Sequence, residues 1–131
     1  MPEALEKLIV WQKALALADS VHNCVKSFPK DERYELSSQL RRAATSIPSN
    51  IAEGYGRRGT NDFVRFLGIA RGSAYEVFTD LKLAQLREYD VDESVFVALE
   101  EVLRMLNGMI DKLGSKYVRE DEMSYGTDEL E

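Results

Sequence analysis

Apolar residues recur at alternating three- and four-residue steps through four long segments of this chain, each bounded by proline, glycine or acidic residues. That spacing lines one face of an α-helix, and a helix with one apolar face must bury it against others. The first segment, residues 5–28, carries Leu8, Trp11, Leu15, Ala18, Val21, Val25 and Phe28 on its stripe. Phe28-Pro29-Lys30 ends it, because proline lacks an amide donor and disfavours helix in the residue before it. Asp31 then stands where a helix cap belongs, with Glu32 and Glu35 in or near the first turn.

The second predicted helix runs its seam through Leu36, Leu40, Ala43, Ile47, Asn50 and Gly54, with Pro48 inside it. A proline there costs about 3 kcal/mol in a simple helix. The seam keeps its phase across the proline, so the expectation is a kink with the helix continuing. Gly54-Tyr55-Gly56-Arg57-Arg58-Gly59 makes the next corner, and Thr60 or Asn61 caps a third helix along Phe63, Leu67, Ala70, Ala74, Val77, Leu81 and Ala84. Small residues at its middle, Ala70, Gly72, Ser73 and Ala74, admit close approach of a neighbour, with Ala43 and Ala44 as the counterpart. After the turn Arg87-Glu88-Tyr89-Asp90, Asp90 and Glu93 make a capping-box-like start to the fourth helix. It carries one stripe of Val95, Leu99, Val102, Leu106, Met109 and Leu113. A second stripe of Phe96, Leu103, Ile110 and Tyr117 widens the apolar face and marks these four as candidates for an intersubunit contact.

Three prolines and eight glycines in 131 residues leave room for few, long elements, and no strand-like alternation or internal repeat competes. The expected fold is therefore all-α, an antiparallel up-down-up-down four-helix bundle with its second helix kinked at Pro48. Residues 1–118 form its single domain. From 119 to 131 the chain has one basic and six acidic residues, against 16 basic and 17 acidic before it. That acidic tail lacks apolar periodicity and is expected to be disordered or loosely packed. A single cysteine, Cys24, forms no internal disulfide, and the N-terminus shows no basic region followed by an apolar run, so a cytoplasmic setting is expected. Apolar runs fall far short of the ~20 residues that span a bilayer.

Gln39-Leu40-Arg41-Arg42-Ala43, then Ser46-Ile47-Pro48-Ser49-Asn50-Ile51-Ala52-Glu53-Gly54, then Phe63, Phe66-Leu67, Ala70-Arg71-Gly72-Ser73 and Glu76 resemble the four helix bundle protein family. That family was first noticed as open reading frames in intervening sequences of bacterial 23S ribosomal RNA genes. The resemblance covers about residues 5–118. It implies a bacterial, cytosolic homo-oligomer, a pentamer with a central channel, and most members have no known activity. One branch, the accessory protein of diversity-generating retroelements, is a basic pentamer that binds a reverse transcriptase and its RNA. The net charge of −6 separates this chain from that branch.

Individual residues point the same way. Gly54 to Gly59 spells G-x-G-x-x-G, but a dinucleotide fingerprint needs a strand before it, and here a helix precedes it. His22 is the only histidine; with Cys24 it is too little for a zinc site, a di-iron bundle site or a nucleophilic triad. No catalytic residue, metal or cofactor is expected, and no small-molecule substrate. The notable constellation is a polar stripe. Arg42, Ser46, Ser49 and Glu53 share one face beside Pro48 and Asn50. Asn50 reads as a buried register-setter that bonds the carbonyl freed by Pro48 or crosses to Ser73 or Glu76. The functional alternative is an Asn50, Glu53, Ser73 and Glu76 cluster that binds a ligand or partner. Arg41, Arg57, Arg58, Arg65 and Arg71, with Arg42, gather positive charge that solvated ion pairs or nucleic acid would meet, without interleaved aromatics. Two function classes follow: a non-catalytic homo-oligomeric scaffold or interaction module, or an accessory protein that binds RNA, DNA or a reverse transcriptase.

Overall fold

In the computed structural model, which describes residues 2–125 and their side chains to residue 114, the described residues form helices joined by short connections and contain no strand. A short α1 (Glu3–Glu6) precedes four long helices, α2 (Ile9–Val25), α3 (Leu36–Tyr55), α4 (Thr60–Leu86) and α5 (Glu93–Tyr125). Each long helix packs on two others: α3 on α2 and α4, α5 on α4 and α2. One core, with Leu17, Leu40, Ile47, Leu67, Leu81 and Leu106 all fully buried, joins them. Among the described residues no helix is long and apolar enough to cross a membrane.

Five local expectations are corrected by tertiary packing. Leu8 is extended at ψ 111°, which separates α1 from α2 where one continuous helix was expected. The buried face of α2 is Val10, Ala14, Leu17 and Val21, and Leu15 is 43% exposed. Two apolar stripes run side by side there, and packing chose the one that α3 and α5 cover. Asp31 does not cap α3. It lies in a 3₁₀ turn, Lys30–Glu32, and α3 starts beyond it with no side-chain cap. Nor do Thr60 or Asn61 cap α4: Gly59 takes that position at φ 95°, a conformation that costs glycine nothing. At the start of α5 the cap is Asp92 rather than Asp90, its Oδ1 accepting from the Ser94 amide at 2.8 Å.

Helix α3 continues through Pro48, which is buried. On its seam, Ile51 rather than Asn50 follows Ile47 into the core, so the steps run four then three to Gly54. Both positions can reach the interface; the apolar one occupies it because a buried amide needs partners. The close approach of α3 to α4 sits at Gly54, where an added Cβ would lie 2.6 Å from the Phe66 Cβ. Gly72, expected to serve this purpose, has nothing within 4 Å of such a Cβ and faces open space. On α5, Phe96 is buried within its own chain against Phe78, with ring centroids 6.1 Å apart, and Leu103 and Ile110 pack against the core. The backbone of α5 runs on through residues 119–125, the first part of the acidic tail, while the Tyr117 side chain and residues 126–131 lie outside what is described.

These two glycines give opposite expectations. Gly54→Ala should destabilise by about 1–3 kcal/mol through overpacking. Gly72→Ala should instead be neutral or stabilising by up to about 1 kcal/mol through helix propensity. Urea unfolding of both variants compares them directly.

Candidate functional site

The polar stripe of α3 is resolved by the structure into parts that meet and parts that do not. Ser46 is its hub. Its hydroxyl shares a hydrogen bond with that of Ser73 on α4 at 2.8 Å. The Asn50 amide donates to both the Ser46 carbonyl, at 2.8 Å, and the Ser46 hydroxyl, at 2.9 Å. Asn50 therefore neither bonds the Ala44 carbonyl freed by Pro48 nor crosses to α4 itself; the crossing runs through Ser46. One turn of helix separates these two residues, so the side chain at the fourth position is positioned by helix geometry alone. Glu53 turns away to pair with Arg57 at 3.2 Å, and Glu76 is exposed. The four-residue cluster of Asn50, Glu53, Ser73 and Glu76 is thus not assembled as one site.

Beyond Ser46, the stripe faces a groove between α2 and α3. Arg42, Ser49 and Asn50 line it from α3, and His22 lines it from α2, its Nε2 3.2 Å from the Thr45 hydroxyl. Arg41 enters from above, its Nη2 donating to the Arg33 carbonyl at 3.2 Å.

The remaining arginines are largely engaged. Arg57 pairs with Glu53, and Arg65 with Asp62 at 3.6 Å; both also lie over the Phe66 ring, at 5.1 and 4.5 Å from its centroid. Tyr55 and Phe63 stack edge-on beside them, 6.1 Å between centroids. The corner therefore does interleave aromatics with cations, which the linear order of residues concealed. Arg58 is exposed. Arg71 bridges α4 to α5, donating to Asn107 Oδ1 at 3.0 Å.

Two polar features had no sequence signal strong enough to single them out. The first joins elements more than fifty positions apart: Arg87 Nη1 and the Tyr89 hydroxyl both donate to Glu32 Oε2, each at 2.7 Å. Glu88, at φ 63°, sets this up. With it in the left-handed region, the Tyr89 amide reaches back to the Ala84 carbonyl at 2.9 Å and the Glu88 amide to that of Gln85 at 2.9 Å. This pattern terminates α4 and swings Tyr89 towards Glu32 and Phe28. Hydrogen bonding from Tyr89, opposed by burial and aided by Arg87, holds the Glu32 carboxyl below its usual range. The second is Asp80, 5% exposed on α4, whose Oδ2 has no partner among the described residues. Burial, and then the charge of Glu76, push its carboxyl up. Its sequence signal was a carboxylate three residues after Val77, on the edge of the seam.

Cys24 is half-buried with its Sγ 3.9 Å from the Asp90 carbonyl oxygen; burial first, and then the negative charge of Asp90, push its thiol up, which makes it a poor nucleophile. Among the described residues no three His, Cys, Asp or Glu side chains are placed to hold a metal ion.

A depressed carboxyl stabilises the fold above its unfolded value, 4.5 for Glu32, and that stability is lost as pH falls through the lower folded value. The urea midpoint of the wild type should therefore drop on acidification below that range, and Glu32→Gln should flatten that drop; an unchanged slope would exclude the Glu32 network as its source. For the hub, Ser46→Ala and Ser73→Ala should each cost about 1 kcal/mol, and the double variant less than their sum. A double-mutant cycle by chemical denaturation measures the difference.

Comparison with known proteins agrees with this architecture. Residues 6–112 match the family model described as 23S rRNA-intervening sequence protein. A solved structure from Bacteroides thetaiotaomicron, a protein of unknown function from the S23 ribosomal protein family, is 29% identical; the likeness covers 79% of this chain and 96% of that one, with a TM-score of 0.72. No curated protein matches the sequence. The chain belongs to the family of 23S rRNA-intervening sequence proteins.

Proposed function

We propose that this chain is a non-catalytic, homo-oligomeric bacterial protein of the cytoplasm that serves as a scaffold or interaction module. In this reading it is an antiparallel up-down-up-down four-helix bundle whose α3 bends at Pro48, assembled as a pentamer. The register of contacts supports the antiparallel order. Ser46 meets Ser73 while the later Gly54 meets the earlier Phe66, and Phe78 meets Phe96 while the earlier Arg71 meets the later Asn107.

The observation that carries the oligomer is on α4. Ile69, Tyr75, Leu83 and Leu86 are 43, 51, 38 and 82% exposed and recur on the side of α4 turned away from the core. An apolar stripe left in water along a long helix is the usual mark of a protein contact. It also moves the expected contact from α5 to α4, because Phe96 is spent inside its own chain. Five copies is the number that the family resemblance implies.

A second reading, nucleic-acid binding as an accessory to a reverse transcriptase or an RNA complex, is favoured by the Arg57, Arg65 and Phe66 corner beside exposed Arg58. The carboxylates of Glu53 and Asp62 already neutralise two of those cations, which weakens it relative to the first.

Light scattering at micromolar concentration should give a mass several times that of one chain, and Leu83→Asp should lower it; a monodisperse monomer would remove the scaffold reading. Retention of RNA or DNA at low salt, with residues 119–131 present or deleted, tests the second reading independently.

A further inference from the structure

The groove between α2 and α3 has the dimensions of a small-ligand site, about 540 Å³, and the residues that line it are donors: Arg41 and Arg42, the hydroxyls of Thr45 and Ser49, and His22. A second groove of about 290 Å³ shares Arg41 with it, around the α2–α3 connection, and Lys26, Lys30 and Arg33 line it. Five cations thus surround two hollows that share Arg41, and among the described residues no carboxylate lines either one. The contrast is with Arg57 and Arg65, which sit in the same chain beside Glu53 and Asp62. Gathering like charges without a counter-charge raises the energy of the folded chain, and an anion seated among them lowers it.

Guanidinium groups bind the oxygens of carboxylates and phosphates through two parallel donors. Arg41 is half-buried and held by its bond to the Arg33 carbonyl, so its orientation is set before any ligand arrives. Asn50 is likewise held against Ser46, which keeps that wall in place. Two hollows joined at one arginine suit a ligand with more than one anionic centre. Extended single-stranded nucleic acid calls for aromatic platforms as well as charge. Among the described residues no Tyr or Trp lines either hollow, Phe28 is buried, and the imidazole of His22 is engaged with the Thr45 hydroxyl.

We propose that the α2–α3 grooves bind a small ligand carrying two adjacent phosphoryl groups, either inorganic pyrophosphate or a nucleoside diphosphate. This site is separate from the apolar α4 face, so it stands or falls independently of the oligomer. The diphosphate spans Arg41, with Arg42, Thr45 and Ser49 on one side and Lys30 and Arg33 on the other.

Amide NMR shifts of the full chain, titrated with pyrophosphate, with a nucleoside diphosphate and with an oligonucleotide lacking a terminal phosphate, test it. Pyrophosphate at millimolar concentration should move the resonances of Thr45 and Ser49. If the nucleoside diphosphate binds more tightly, the base adds contacts of its own and the nucleotide is the ligand; equal affinity assigns the site to pyrophosphate. Arg42→Gln, at an exposed position that leaves the fold intact, should weaken binding about tenfold or more, and Arg41→Lys should weaken it despite retaining the charge. Arg65→Gln at the distant corner should leave it unchanged. No response to either diphosphate, a response undiminished in both Arg41→Lys and Arg42→Gln, or tighter binding of the oligonucleotide at these same residues would overturn the proposal.

Discussion

The close contact of α3 with α4 is the constraint on which the rest of the structure depends. Gly54 brings backbone against Phe66 at one end of the pair, where no side chain fits. Further along, Ser46 and Ser73 are close enough to share a hydrogen bond, and Ala43, Ala44, Ala70 and Ala74 are small, buried side chains on the same two helices. Helices that approach this closely have little freedom to rotate about their axes, since a turn in either direction drives a larger residue into the interface. The orientation of every other side chain on α3 and α4 follows from that restriction. Arg42 and Ser49 are directed into the groove beside α2, and Ile69, Tyr75, Leu83 and Leu86 are directed outward.

A second, polar interaction closes the other end of the molecule. Glu32 precedes α3 and Arg87 and Tyr89 follow α4, so their bonds tie the two connections that the α3–α4 contact does not reach. Glu32 is almost fully buried, and its carboxylate is tolerable there because one oxygen receives both a cationic and a phenolic donor. Asp80 lacks such provision at Oδ2, and its charge is correspondingly disfavoured. The two carboxylates show how much local partners decide about an acidic residue of given burial.

Positive charge is sorted by the same packing. Arginines at the α3–α4 corner lie one helical turn from carboxylates and on an aromatic ring, which leaves them mostly satisfied. Those at the α2–α3 side are left facing concave surface that no carboxylate of the described residues lines. In a chain with net charge −6, this segregation is a feature of the fold and is invisible in the total.

Periodicity in the sequence was enough to determine the all-α class, the four long helices, and most of the core on α3, α4 and α5, because a 3.6-residue repeat and burial of one face are local properties. The polar face holding Arg42, Ser46 and Ser49 was legible for the same reason. Competing local options were decided only by tertiary structure. Val10 and Leu17 displaced Leu15 from the α2 face, Ile51 displaced Asn50 from the α3 seam, and Asp92 took the cap that Asp90 could have supplied. In each case two neighbouring residues satisfied the helix equally well, and the surface of another helix chose between them. The Glu32, Arg87 and Tyr89 network and the cationic grooves lie further still from local rules. Their residues come from separate elements, and their charges interact only once packing has removed the water and distance between them.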